Sequence, residues 1–85
     1  MSLTNQMLRQ IPPDVAPEAI CLLDEILGHK PVVNRQAVST AVFEKLESQF
    51  QDDELDAELE RLHLSKMSEM NAAIDAYDSL CRKFP

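Results

Sequence analysis

Glycine is almost missing from this chain: Gly28 is the only one in 85 residues. A sheet of short strands needs tight turns, and tight turns draw heavily on Gly. Strand-type alternation is also missing from the long segments, so an all-α fold is expected. Trp does not occur, and Phe and Tyr together supply four aromatics. Cysteine occurs only twice, at Cys21 and Cys81. No stretch approaches the ~18 apolar residues that cross a bilayer, so no membrane association is expected. The opening run MSLTNQMLRQIPP has neither the basic region nor the long apolar run of a signal peptide. The expected location is therefore the cytoplasm, with both thiols reduced and no disulfide to staple the fold. Bases are scarce as well: eight Lys and Arg stand against fifteen acids, a formal charge of −7. Phosphate backbones demand a basic surface, so direct nucleic-acid binding is not expected.

What is present is enough apolar material to fold. Leu, Ile, Val and Phe make up 23 of the 85 residues, above the level of a disordered chain. A chain this short nonetheless buries only about 60–65% of its unfolded surface, and such domains lean on staples or on partners. The expected organisation is a short N-terminal arm, residues 1–12, followed by one helical domain, residues 13–85. The arm reads as a mobile segment or a short helix capped by Ser2 or Thr4, and it ends at Ile11-Pro12-Pro13, since a residue before Pro avoids the α region.

Two shorter helices are predicted next. The first spans 17–27: Pro17 suits a first helical turn and Gly28 a C-cap. Ala19, Ile20, Leu22, Leu23, Ile26 and Leu27 give it an apolar face at helical spacing. His29 reads better as a cation at that helix's C-terminus than as a catalytic group. The second spans 35–51, capped by Asn34. Val38, Val42, Leu46 and Phe50 form its stripe, and Phe43 widens it.

The main feature predicted is one long helix over 53–84, a span with no Gly and no Pro, started by Asp52 or Asp53 as a cap. Leu55, Leu59, Leu62, Met70, Ala73, Tyr77, Leu80 and Phe84 form a single apolar seam along it. Its length would be about 46 Å at ~1.5 Å per residue, against a diameter of about 30 Å for a compact chain of this size. A break near Ser65–Ser68, end-to-end packing of the shorter helices, or a second chain would resolve the mismatch. A small helical bundle or helical-hairpin homodimer burying part of the seam is the expectation. Lys66 falls in mid-seam, where it either fixes register or packs its stem and sends its ammonium to water.

The chemistry-bearing residues form no catalytic or metal-binding constellation. There is no HExxH, CxxC, Gly-rich phosphate loop or GxSxG, and no cofactor is expected. Cys21 lies near Glu18, Asp24 and Glu25, whose charges blunt a thiolate. Cys81 falls on an apolar helix face. Residues 44–60 hold eight acids and one Lys, so this stretch carries the whole net charge of −7. No Gly lies where a calcium loop needs one, and the acids read as a solvated, helix-capping corner or as a docking surface formed by Asp52, Asp53, Glu54, Asp56, Glu58 and Glu60.

Three short resemblances occur. His63-Leu64-Ser65-Lys66 resembles the His-x-x-Lys of histidine phosphotransfer domains, with Met67 in place of the usual small residue. Ala73, Tyr77, Leu80 and Pro85 resemble the second helix of a tetratricopeptide repeat, with Arg61 where that repeat carries Gly. Met67-Ser68-Glu69-Met70-Asn71, after an early Ile11-Pro12-Pro13, is similar to small dimeric antiactivators of quorum sensing. No functional residue is carried over from any of them.

The expected function is that of a small, non-catalytic acidic protein acting by protein–protein contact: a regulator, adaptor or chaperone-like partner of antiactivator, antitoxin or secretion-chaperone type. The alternatives are an acidic nucleic-acid mimic that inhibits a basic DNA- or RNA-binding protein, and a small phosphotransfer or thiol enzyme using His63 or Cys21.

Overall fold

A computed structural model describes residues 4–84. It holds five helices, α1 (Asn5–Leu8), α2 (Pro17–Leu27), α3 (Arg35–Gln49), α4 (Asp52–Arg61) and α5 (Met67–Lys83), and no strand among the described residues. The fold is the small all-α bundle expected. Helix α5 packs on both α2 and α3, α2 packs on α3, and α4 packs on α3. Core residues come from every helix: Met7 from α1, Ala19, Ile20 and Leu23 from α2, Val38, Val42 and Leu46 from α3, Leu55 and Leu59 from α4, and Ala73, Ile74, Tyr77 and Leu80 from α5.

The local signals explain where most helices begin and end. Thr4 caps α1, its Oγ1 accepting from the Met7 amide at 3.2 Å; Ser2, the other candidate cap, lies outside the described residues. Pro17 opens α2 and Gly28 closes it at φ +63°, a left-handed conformation that Gly adopts without a Cβ penalty. Asn34 caps α3 by accepting from the Ala37 amide at 3.2 Å. Gln51, not Asp52 or Asp53, is the N-cap of α4, and both acids belong to its first turn. Asp53 there stands in the first turn, at the positive end of the helix dipole.

The long helix over 53–84 is not formed. It is divided at Leu62–Lys66 into α4 and α5. His63 has φ +59°, and two backbone bonds wrap the helix end: the Leu64 amide donates to the Leu59 carbonyl at 2.7 Å and the His63 amide to the Glu60 carbonyl at 3.1 Å. This is a Schellman motif with His where Gly is usual, and its accompanying apolar contact is available because Leu59 and Leu64 are both buried. Lys66 is consequently the exposed N-cap of α5 rather than a mid-seam residue. The break also removes the overhang. The chain measures 35 × 24 × 23 Å with a radius of gyration of 12.1 Å, and neither α4 nor α5 outruns it.

Candidate functional site

The seam residues lie inside the chain's own core. Leu55, Leu59, Leu62, Met70, Ala73, Tyr77 and Leu80 are buried, and Phe84 is partly buried against them. They hold the bundle together and are not on its surface.

Among them sequence reasoning missed a polar cluster. The Tyr77 hydroxyl donates to Asp24 Oδ1 at 3.1 Å, and the Asp24 carboxylate is buried on α2. His29, at φ +62°, turns its ring back over the same carboxylate, with Nδ1 3.5 Å from Asp24 Oδ1. Its Nε2 lies 3.0 Å from the Phe84 carbonyl. A carbonyl can only accept, so Nε2 carries a proton. His29 therefore ties α2 to the end of α5 instead of capping the α2 carbonyls. Burial pushes the Tyr77 phenol far above its ordinary range, and the neighbouring Cys81 and Asp24 add to it. Burial also raises the Cys81 thiol. A buried thiol held neutral and a carboxylate that accepts from Tyr77 make this cluster a clasp between helices, in which His29 Nδ1 is buried without a hydrogen-bond partner. The spacing of Asp24, His29 and Tyr77 in sequence carried no signal, because the contact spans 53 residues.

Cys21 is exposed on α2. Partial burial raises its thiol above the ordinary value, and Asp24, Glu18 and Glu25 raise it further, in the sense the acidic neighbourhood predicts. His63 sits at the left-handed turn after α4, whereas the phosphotransfer resemblance requires a His on a helix face. Among the described residues no group of three or more His, Cys, Asp or Glu is placed to hold a metal ion.

The acidic stretch remains at the surface. Asp53, Glu54, Asp56 and Glu60 are exposed; the Asp52 side chain lies outside what is described. Glu58 is the exception, because Arg61 donates to its carboxylate, with one contact at 3.1 Å. That hydrogen bond, with the guanidinium charge, lowers the Glu58 carboxyl below its usual range. Arg61 also reaches Glu18 on α2 at 3.9 Å. The docking surface expected from sequence is thus five acids with described side chains, one of them engaged locally.

A groove of about 490 Å³ runs between α3 and the start of α5. Phe43 and Met67 line it and stay exposed, at 41% and 71%. Leu64 and Met70, both buried, form its floor. Glu44 and Glu47 stand on the α3 wall, and Lys66 on the opposite wall. Phe43 was expected to widen the core stripe of α3. Val38, Val42 and Leu46 already complete that stripe, and Phe43, about 100° round the helix from Val42, projects beyond it. The signal for this wall was present in the 3.6-residue period; Met67 gave none, because it was placed within a continuous helix. No helix of the described residues is long and apolar enough to cross a membrane. The chain matches no protein-family model, no curated protein and no solved structure.

Proposed function

We propose that this protein is a non-catalytic regulator or adaptor that acts by binding another protein with a basic surface. The observation that carries this reading is the pairing of Phe43 and Met67, two large exposed apolar side chains, in one groove whose α3 wall carries Glu44 and Glu47, in a chain whose net charge of −7 is concentrated in residues 44–60. Leu8, Val33, Phe43 and Met67 are the large apolar side chains left exposed among the described residues, and what supports a contact surface is that Phe43 and Met67 share one groove. Apolar anchors supply affinity, and the exposed acids of α4 speed encounter with a positive surface.

A photo-crosslinking residue at Met67, introduced in cells, tests the reading. It is expected to give a discrete adduct with one protein, where the same group at Asp75 on α5 does not. With that protein purified, Asp53→Lys with Asp56→Lys is expected to slow association several-fold and flatten its dependence on salt. Unchanged rates would remove the acidic stretch from the mechanism. An adduct that competes with DNA for its site would instead support the nucleic-acid-mimic reading. Absence of a discrete adduct from Met67 and from a set of other exposed positions would end the binding reading altogether.

A further inference from the structure

We infer that the α3/α5 groove seats a single amphipathic helix of the partner, laid along α3 with its apolar stripe down and Lys or Arg on the flank that faces Glu44 and Glu47. This inference rests on the binding reading and names its occupant.

The shape argues for a helix. The α3 wall is built from positions 36, 39, 40, 43, 44 and 47, one face of the helix at steps of three and four. Positions 36 and 47 are about 16 Å apart at ~1.5 Å per residue, so the wall is three turns long. A peptide helix of three to four turns matches it, with ridges of side chains entering the space beside α3. Strand addition, the other common backbone-led mode, needs a sheet edge, and the described residues contain no strand.

The lining argues for an apolar stripe. Phe43 supplies a flat face, and Met67 and Met70 supply flexible thioethers that adapt to branched partners. The rim argues for charge and direction. Glu44 and Glu47 are one turn apart on the same wall and lie outside the ion pairs of α3: Lys45 turns away to Glu25 at 3.7 Å, and Arg35 is engaged by Asp75. Two cations one turn apart on the ligand helix would face them in register. Lys66, on the other wall, repels a cation placed there. The basic flank is therefore confined to the α3 side, which sets the roll of the bound helix.

The test uses the intact protein and a displayed library of 14-residue peptides biased to helix. Selected peptides are expected to carry apolar residues at i, i+3 or i+4, and i+7, with Lys or Arg on one flank, and to bind with Kd on the order of 10 μM, as suits a small transient interface. Met67→Ser, at an exposed position, should weaken them about tenfold. Glu44→Lys with Glu47→Lys should weaken the basic peptides and flatten their salt dependence, while circular dichroism and urea midpoints stay unchanged. Selected peptides indifferent to all three substitutions would overturn the groove as the site. Acidic or non-helical peptides would overturn the occupant, as would a library that yields no binder while small apolar fragments perturb the groove's NMR signals. A discrete crosslinked partner together with any of these failures would leave the binding reading standing and this inference refuted.

Discussion

Asp24 is a carboxylate taken out of water with two side chains aimed at it. Tyr77 donates to Asp24 at 3.1 Å, and the His29 ring closes over the other side. Burial of an unpaired carboxylate is costly, and a donor at hydrogen-bond distance is what makes the position tolerable. The phenol is the part of the cluster that solution measurements can follow alone, since the chain has one Tyr and no Trp. An unfolded Tyr ionises near pH ~10, and the buried Tyr77 is raised well above that. Between the two values the unfolded chain binds fewer protons than the folded one. The stability tied to this group is therefore complete below about pH 10 and is progressively lost as pH rises past it. Native protein at about pH 10 should show almost no phenolate absorbance, and the same protein in urea should show about half of its full phenolate signal. A native titration at the ordinary value would mean that the phenol is not buried as described.

At the scale of elements, legibility followed the special residues. Helix α2 was readable because Pro17 and Gly28 mark its ends, and α3 because Asn34 caps it. The division between α4 and α5 was legible only as one option, a break near Ser65–Ser68, because the left-handed position that ends α4 is held by His63 rather than Gly. Leu62 also continues the apolar spacing into the turn, so the periodicity runs on while the backbone stops. The seam was read as apolar and as partly buried against a second chain; its residues are buried within the chain's own bundle. The left-handed turn gives a direct check. Gly at position 63 relieves about 1 kcal/mol of backbone strain and gives back part of it through the freer unfolded chain. His63→Gly is therefore expected to stabilise by about 0.5 kcal/mol, and His63→Ile to destabilise by about 1–3 kcal/mol. Urea midpoints measure both. Equal effects of the two substitutions would show that the turn does not require a left-handed residue.

At the scale of the molecule, the expectation of a homodimer drew on a helix longer than the body. That premise is gone in a chain of 35 × 24 × 23 Å whose seam residues are buried by their own bundle. Sedimentation at two concentrations a hundredfold apart should return the mass of one chain, 9.6 kDa, at both. A mass that doubles with concentration would make the groove, or another exposed face, a contact between copies. The acidic stretch was legible as composition alone. The apolar groove was not, because Phe43 and Met67 belong to helices whose relative placement only the turn at residues 62–66 determines.

The order of synthesis gives the clasp between α2 and α5 one more consequence. Helix α5 is the element that covers both α2 and α3, and the Tyr77–Asp24 contact bridges 53 residues. Helices are local and form in about a microsecond, yet the core of this bundle closes only when its last helix arrives. A growing chain of the first sixty or so residues therefore carries bare apolar faces on α2 and α3, with nothing to shut them. At ~5–20 residues per second, translation keeps them exposed for seconds rather than microseconds. Closure of this bundle is in effect deferred until its last helix has been made, and a truncation that removes α5 yields a sticky fragment instead of a smaller domain.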